Sequence, residues 1–208
     1  MSFRDREAGG ALLAEALARY ARRPDLAVLG LVRGGVPVAA TVARRLEAPL
    51  DALVVRKLGV PWEPEVAFGA LGSEGVCVLN QDIAAQVPPE TVAGVLRREA
   101  LELRRREQRY RGGRPRLHLR GQVVVLVDDG LATGASARAG VAVTRRLGAR
   151  WVVVAAPVGS PFAVDQLLEV ADEVVCPVQP PDFDAVSCWY EDFDQVSDAE
   201  VEALLTWV

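Results

Sequence analysis

Residues 123–136 constrain this chain more than any other part of its 208 residues. The segment begins with five consecutive apolar residues, continues with Asp128 and Asp129, and ends in a loop that carries Gly130 and Gly134. A continuous run of Val and Leu is typical of a strand buried on both faces of a parallel sheet. The segment therefore predicts a strand, a glycine-bearing turn and a helix start, which is how a βαβ unit begins.

Apolar runs alternate with helical patterns along the rest of the chain. The periodicity predicts strands at residues 26–32, 51–55, 66–71, 76–79, 123–127, 151–156 and 173–176, and helices at 6–21, 36–46, 88–111, 136–147 and 162–168. A final helix ending at residue 208 begins with a capping box from Ser197 to Glu200. This pattern indicates an α/β fold in which an open, mainly parallel, twisted sheet is flanked by helices.

We expect a single domain over residues 1–208, because a chain of this length can bury one full hydrophobic core. The core of the predicted sheet covers about residues 25–176. The helix 6–21 and the tail 177–208, which begins with a stretch rich in Pro, Asp and aromatic residues, form a possible hood over that core.

The loop after the two carboxylates has the features of a phosphate site. Backbone amides of residues 132–136, the hydroxyls of Thr133 and Ser136, and the positive end of the following helix would together cradle a phosphate. Two carboxylates repel a phosphate unless they serve another group, such as a ribose diol or a magnesium ion carried by a pyrophosphate. The segment lacks both G-K-[ST] and G-x-G-x-x-G, which excludes a Walker A loop and a dinucleotide loop. A strand-end turn or a helix-cap pair is the alternative for Asp128 and Asp129.

The run VVVLVDDGLATGAS resembles the signature by which type I phosphoribosyltransferases bind 5-phosphoribosyl-1-pyrophosphate (PRPP). The resemblance implies the fold of that family, with a small hood. It also implies that Asp128 and Asp129 hold the ribose hydroxyls and, indirectly through Mg–PRPP, a Mg²⁺ cofactor. The 5′-phosphate would then bind the loop formed by Ala132, Thr133, Gly134, Ala135 and Ser136.

Two further segments support the resemblance. Arg33-Gly34-Gly35 follows the first core strand and is similar to the pyrophosphate loop of the family, which lies across the sheet's switch point from the signature loop. The pair Arg56-Lys57 follows the predicted strand 51–55, where the family places a basic residue on the pyrophosphate. The resemblance thus implies catalytic roles for Asp128, Asp129, Lys57 and Arg33. A simple strand–helix turn and ordinary surface charge are the alternatives for the two segments.

Residues 104–116 are dense in arginine and lie where the family has its mobile flap, but a solvated helix face is the alternative. The spacing of Glu102 and Arg106 supports the helix face, since charges four residues apart attract on a helix. Trp189, Tyr190 and Phe193 would either stack on a nucleobase or pack against the last helix. His118 has no partner at motif spacing and is expected to be structural or exposed.

One departure from the family pattern concerns the acceptor. Members that act on 6-oxopurines carry an aspartate before the T-G of the loop, where this chain has Ala132. A methyl group cannot exchange protons, so that mechanism is in doubt, although adenine-type members also carry alanine there. The leading hypothesis is Mg²⁺-dependent transfer of phosphoribosyl from PRPP to a nitrogenous base. A non-catalytic PRPP or nucleotide sensor and a hydrolytic use of the site are the alternatives.

Composition limits the partners. The net charge is −4, which gives no support to broad nucleic-acid binding. The three cysteines are odd in number and widely spaced, which favours reduced thiols in a cytoplasmic protein. The first ten residues do not have the pattern of a signal peptide, and no apolar stretch approaches the roughly 18 residues of a membrane span. Dimers are common in the family, so a homodimer is possible by analogy.

Overall fold

A computed structural model describes residues 2–206, without the side chains of residues 64 and 65. The strands are β1 (Leu26–Leu31), β2 (Leu50–Leu53), β3 (Val55–Val60), β4 (Glu63–Gly72), β5 (Val76–Leu79), β6 (Val123–Val127), β7 (Trp151–Ala155) and β8 (Glu173–Val175). The helices are α1 (Arg6–Ala16), α2 (Gly35–Leu46), α3 (Gln81–Ala84), α4 (Pro89–Arg111), α5 (Ala135–Arg146), α6 (Pro161–Leu168) and α7 (Asp198–Thr206). The last two positions of the predicted final helix lie outside the described residues.

Five strands form a wholly parallel sheet in the order β2-β1-β6-β7-β8. Every residue of β1 and β6 is buried, as their continuous apolar sequences predict. The two strands pair from Leu26 with Val123 to Gly30 with Val127, so they end at the same level. The prediction of an open parallel sheet flanked by helices is confirmed.

The helices that follow β1 and β6 lie on opposite faces of the sheet. The apolar side of α2 packs in one core cluster with α1, α4 and α7, whereas α5 and α6 pack in a second cluster on the other face. The chain therefore diverges above the adjacent ends of β1 and β6. Such a divergence is the topological switch point, where open α/β sheets form a crevice for ligands.

A separate antiparallel sheet has the order β3-β4-β5. The predicted strands 66–71 and 76–79 and the turn between them are confirmed, although β4 begins earlier, at Glu63. The strand β3 was not expected, because Arg56 and Lys57 interrupt the apolar pattern and resemble the end of the preceding strand. That strand instead ends at Leu53, and β3 pairs with β4. Phe68 of β4 is fully buried in the core cluster of α2 and α4, which anchors this sheet to the rest of the molecule.

The two ends of the chain lie against each other. Phe3 forms a bridge with Tyr190, and its amide donates to the carbonyl of Trp189 at 2.8 Å. The predicted helix 6–21 is shorter than expected, ending at Ala16 before a 3₁₀ turn at Ala18–Tyr20. The capping box of α7 is confirmed, because the Ser197 amide donates to the Glu200 carboxylate at 2.6 Å and the Glu200 amide donates to Ser197 Oγ at 3.2 Å.

The arginine-rich segment is bound to its neighbours by ion pairs. Arg105 and Arg106 pair with Glu102 at 2.8 and 2.7 Å, which confirms the predicted helix-face contact. Arg109 instead pairs with α7, and Arg111 with Asp51 of β2 at 3.2 Å. Residues 104–111 therefore form the end of α4, and the flap interpretation of residues 104–116 stays a prediction. The sequence shows the arginines but not the distant carboxylates that hold them.

Two negative expectations can be compared with the described residues. Within residues 2–206, no helix is long and apolar enough to cross a membrane. Cys77, Cys176 and Cys188 are all free thiols, as their spacing predicts.

The substitution Phe68→Ala tests whether the antiparallel sheet shares the main core. Removing this fully buried ring should lower the free energy of unfolding by about 3–5 kcal/mol in denaturant titrations. Trp62→Ala is the control, because Trp62 belongs to the same hairpin but is 62% exposed. The control should change stability by less than about 0.5 kcal/mol. A Phe68→Ala cost below about 1 kcal/mol would contradict this packing.

Candidate functional site

The loop after β1 and the loop after β6 touch each other at the switch point. A methyl group on Gly34 would overlap the Asp129 carboxylate, and one on Gly35 would overlap the Val127 carbonyl and the Asp128 backbone. At Gly35 the neighbouring atoms are backbone at the end of β6 and cannot move aside, whereas the neighbour of Gly34 is a side-chain carboxylate. The contact at Gly35 therefore requires glycine, and the structure brings the Arg33-Gly34-Gly35 loop onto the acidic pair.

Asp128 occupies the end of β6 and is half-buried. Its amide donates to the Ala155 carbonyl at 3.1 Å, and its Oδ1 accepts from the Asp129 amide at 3.0 Å. Burial, followed by the charge of Asp129, raises the pKa of the Asp128 carboxyl well above its ordinary value. A carboxyl held in this way favours a ligand that supplies positive charge or hydroxyl donors.

Asp129 is paired with Arg6, a residue that the sequence pattern did not single out. Arg6 Nε lies 2.9 Å from Asp129 Oδ2, and the two side chains are only 12% and 15% exposed. The Arg6 guanidinium also lies 4.0 Å from the Phe193 ring centroid and donates to the Asp194 carbonyl at 2.9 Å. Burial raises the pKa of Asp129, and Arg6 opposes that rise. Arg6 thus supplies the charge that keeps this carboxylate in place.

The loop of residues 132–136, predicted to bind a phosphate, is exposed, and hydrogen bonds with Val158 and Ser160 anchor the point where it begins. The Leu131 amide donates to the Val158 carbonyl at 3.0 Å, and Ser160 Oγ donates to the Ala132 carbonyl at 2.7 Å. Gly134 adopts φ +71° just before α5 begins, a left-handed conformation that favours glycine. Ala132, Thr133, Ala135 and Ser136 are exposed, and the first-turn amides of α5 lack partners within the helix. The predicted cradle therefore faces solvent at a helix N-terminus.

Arg33 precedes the two glycines of its loop and faces a carboxylate. Its guanidinium lies 3.8 Å from Asp198 at the start of α7. Asp198 also accepts from the Tyr110 hydroxyl and from Arg109, both at 2.7 Å. These contacts lower the pKa of Asp198, with the Tyr110 hydrogen bond as the largest cause. The capping box located α7 in the sequence, but nothing there connected Asp198 with Arg33.

Arg56 and Lys57 point to opposite sides of β3. Arg56 pairs with Glu99 of α4 at 2.7 Å. Lys57 lines a cavity of 440 Å³ that Ala135 and Ser136 also line. The structure therefore brings Lys57 to the phosphate loop and leaves Arg56 with α4, as expected for neighbours on a strand.

The aromatic residues of the tail pack against the N-terminal segment and not against α7. Tyr190 is buried, its ring lies 5.3 Å from that of Phe3 and 5.0 Å from that of Phe193, and its hydroxyl donates to the Asp129 carbonyl at 2.6 Å. Trp189 is half-buried in the same cluster. Among residues 2–206, the cluster that holds these aromatic side chains includes Phe3 and α1 but no residue of α7. Base binding by them stays a prediction.

The donor set at the site fits a magnesium ion that arrives with its ligand. Asp128 and Asp129 are adjacent carboxylates at the crevice, and hard oxygen donors suit Mg²⁺. In the part of the chain that the structure describes, no group of three or more His, Cys, Asp or Glu side chains could hold a metal. Mg²⁺ commonly binds one or two carboxylates and takes its other ligands from substrate phosphates and water.

Comparisons with known proteins concern the family and the fold of the chain. A family model described as a phosphoribosyl transferase domain matches residues 4–185. Two curated proteins from Mycobacterium tuberculosis strains CDC 1551 and H37Rv are each 50% identical over 205 residues, and their names assign them provisionally as phosphoribosyl transferases. The match covers 98% of this chain and 46% of each relative, so the chain spans about half the length of these relatives.

Two solved structures share the fold. The crystal structure of TT1426 from Thermus thermophilus is 49% identical, with a TM-score of 0.90 over 99% of this chain and 98% of that one. A purine phosphoribosyltransferase from Pyrococcus horikoshii is 18% identical, with a TM-score of 0.50 over 92% of each chain. At that identity the second comparison concerns the fold alone.

Asp128→Asn should stabilise the protein at neutral pH. A carboxyl whose folded pKa is raised costs stability as pH rises from its unfolded to its folded value, and the amide removes that cost. We expect a gain of about 1 kcal/mol near pH 7.5 that shrinks toward pH 4.5, measured by denaturant unfolding in metal-free buffer. Asp165→Asn, at an exposed position, is the control and should show no such trend. Equal pH dependence in both variants would contradict the burial assigned to Asp128.

A double-mutant cycle between Arg6→Met and Asp129→Asn measures their coupling. Arg6→Met leaves a largely buried carboxylate unpaired, so it should cost more in the native background than in Asp129→Asn. We expect a coupling of about 1–3 kcal/mol in the free energy of unfolding. The pair Arg4–Asp5, 2.7 Å apart but 76% exposed at Arg4, is the control and should couple by less than about 1 kcal/mol. Similar values for both cycles would remove the special role of Arg6.

Proposed function

The chain belongs to the phosphoribosyltransferase family, and from that premise we propose that it binds Mg–PRPP at the switch point and transfers its phosphoribosyl group to a nitrogenous base. The contact between the Arg33-Gly34-Gly35 loop and the Asp128–Asp129 pair carries the proposal. It joins the proposed pyrophosphate site to the proposed ribose site. The exposed loop 132–136 follows the acidic pair in the sequence, at the start of α5, and would bind the 5′-phosphate.

The proposed reaction forms a bond between a base nitrogen and ribose C1 while the bond from C1 to pyrophosphate breaks. Pyrophosphate leaves with the bonding electrons, and positive charge builds on the ribose ring. Asp128 and Asp129 would accept from the ribose hydroxyls beside that charge, while Arg33 and Lys57 would neutralise the leaving group. Bound Mg²⁺ would supply further charge neutralisation on the pyrophosphate. Ala132 offers no proton exchange, so the acceptor base would gain or lose its proton elsewhere.

A PRPP sensor without transfer is a second candidate, and one feature of the tail favours it. Val186 packs on Gly130 so closely that a methyl group there would lie 2.5 Å from Val186 Cγ1. The Tyr190 hydroxyl holds the Asp129 carbonyl from the same tail. Residues 186–190 therefore cover the acidic pair on one side. If the tail stays in this position, the protein would bind PRPP while the tail excludes an acceptor.

Isothermal titration with PRPP and Mg²⁺ tests the proposed site. We expect saturable binding that weakens at least about 10-fold in Asp128→Asn/Asp129→Asn, because each lost charged hydrogen bond costs about 1.5–3 kcal/mol. Asp82→Asn/Asp165→Asn makes the same charge change at two exposed positions and should bind normally. Unchanged affinity in the first variant, with the fold intact, would refute the site assignment.

A screen of bases for pyrophosphate release then separates the two candidates. Release that needs a base and is lost in Asp128→Asn/Asp129→Asn supports transfer. PRPP binding without release for any base, while Val186→Ala leaves binding intact, supports the sensor. No PRPP binding by the folded protein would refute both.

A further inference from the structure

A second cavity lies away from the switch point, beside the edge strand β2 and the end of α5. Its volume is 240 Å³. Leucines and other apolar side chains form much of its wall, namely Leu29, Ala52, Leu53, Val76, Leu117, Leu119 and Leu147. Five basic side chains also line it: Arg111, Arg116, His118, Arg120 and Arg146. Apolar walls with a few convergent polar groups are typical of small-molecule sites.

Most basic side chains of this protein form ion pairs with described carboxylates, and two of the four arginines that line the cavity do not. Six of the 24 Lys and Arg residues form no ion pair with a described carboxylate, namely Lys57, Arg97, Arg104, Arg114, Arg120 and Arg146. Two of the six, Arg120 and Arg146, line this one cavity. Since the chain carries a net charge of −4, such a local excess of positive charge is not a general property of its surface.

The carboxylates of the cavity do not cancel this excess. Asp51 accepts from Arg111 and from the Leu117 amide, at 3.2 and 3.3 Å. Glu74 is 58% exposed and lies 3.6 Å from Arg116, which also pairs with Glu107 at 2.8 Å. The acidic groups are thus matched by Arg111 and Arg116. Arg120 and Arg146, with the exposed His118, remain for a ligand.

The position of Arg146 at the end of α5 would by itself explain a basic residue there, but it does not explain Arg120. Basic residues stabilise the carbonyl end of a helix. Arg145, also in the last turn of α5, has its partners outside that helix: it donates to the Val170 carbonyl at 3.1 Å and pairs with Asp172 at 3.0 Å. Arg146 faces the cavity, and Arg120 comes from the connection that precedes β6. Two segments distant in sequence therefore bring their cations to one place.

We propose that this cavity binds a compact phosphate-bearing molecule, with its phosphoryl group at Arg120 and Arg146 and its less polar part on the leucine wall. Arginine is suited to a phosphoryl group because its planar fork offers paired donors. The cavity is smaller than most sites for drug-sized ligands, which favours a small metabolite. Nucleic acid would need a wider basic face than two free arginines provide.

The cavity is separate from the proposed PRPP site, but α5 runs from one to the other. The helix α5 starts at the phosphate loop and ends at Arg146, and its 12 residues span about 18 Å. A ligand at Arg146 would therefore not contact the loop. It would hold the far end of the helix whose N-terminus forms the cradle.

Titration of the full chain with inorganic phosphate and with AMP, in low salt and without PRPP, tests the proposal. The switch-point site also takes a phosphate if the proposed function is correct, so the second cavity is reported by the difference between the native protein and the cavity variant Arg120→Ser/Arg146→Ser. We expect a saturable site in the native protein that weakens at least about 10-fold in this variant. Arg97→Ser/Arg104→Ser is the matched control, because it removes two exposed arginines without ion pairs outside the cavity. The control should bind as the native protein does.

The outcomes separate the ligand sources and the two proposals. Tighter binding of AMP than of phosphate assigns the leucine wall a role, and equal binding assigns recognition to the phosphoryl group; both support the site if the binding weakens in the cavity variant. Binding that is as tight in the cavity variant as in the native protein, or that falls equally in the control, overturns the proposal. A PRPP titration of the cavity variant should remain normal, so failure of this site and failure of the PRPP site are distinguishable.

Discussion

The close contact of Gly34 and Gly35 with Asp129, Asp128 and the Val127 carbonyl is the constraint on which the rest of the site depends. Two parallel strands end at the same level, and the chain leaves them toward opposite faces of the sheet. At Gly35 only a residue without a side chain can pass the Val127 carbonyl and the Asp128 backbone. This narrow gap keeps the Arg33-Gly34-Gly35 loop against the acidic pair.

The central sheet could be predicted from the sequence because burial on both faces leaves a strong pattern. Strands such as β6 and β7 must be apolar at nearly every position, and they begin or end within a residue of their expected bounds. The sequence pattern did not predict β3, because this strand is only partly buried and carries Arg56 and Lys57. A half-exposed strand in a small antiparallel sheet depends on its partner for its conformation, and the partner is not visible in a local window.

The site was predictable where it is contiguous and not where it is assembled from distant segments. Residues 128–136 and 33–35 follow strands, so their place at the carboxyl edge follows from the fold. Arg6 and Asp198 reach the same crevice from the two ends of the chain. Their contacts span more than a hundred residues, Arg6 lies in no motif, and the capping box that contains Asp198 gives no sign of a contact with Arg33. A lone arginine near the N-terminus carries no local signal for a buried partner 123 residues away.

The affinity of the crevice for PRPP would be the difference between the contacts made with the ligand and the contacts that these charged groups already make within the free protein. Arg6 already compensates Asp129, so the uncompensated carboxyl is Asp128, whose ionisation burial opposes. Arg33, in turn, faces Asp198 at 3.8 Å. A pyrophosphate bound as we propose would compete with Asp198 for Arg33, while the ribose hydroxyls would give Asp128 the donors it lacks. Binding would then offset the free-energy cost of burying Asp128. A ligand without hydroxyl donors at that position would not offset this cost, so the burial would favour one ligand over others.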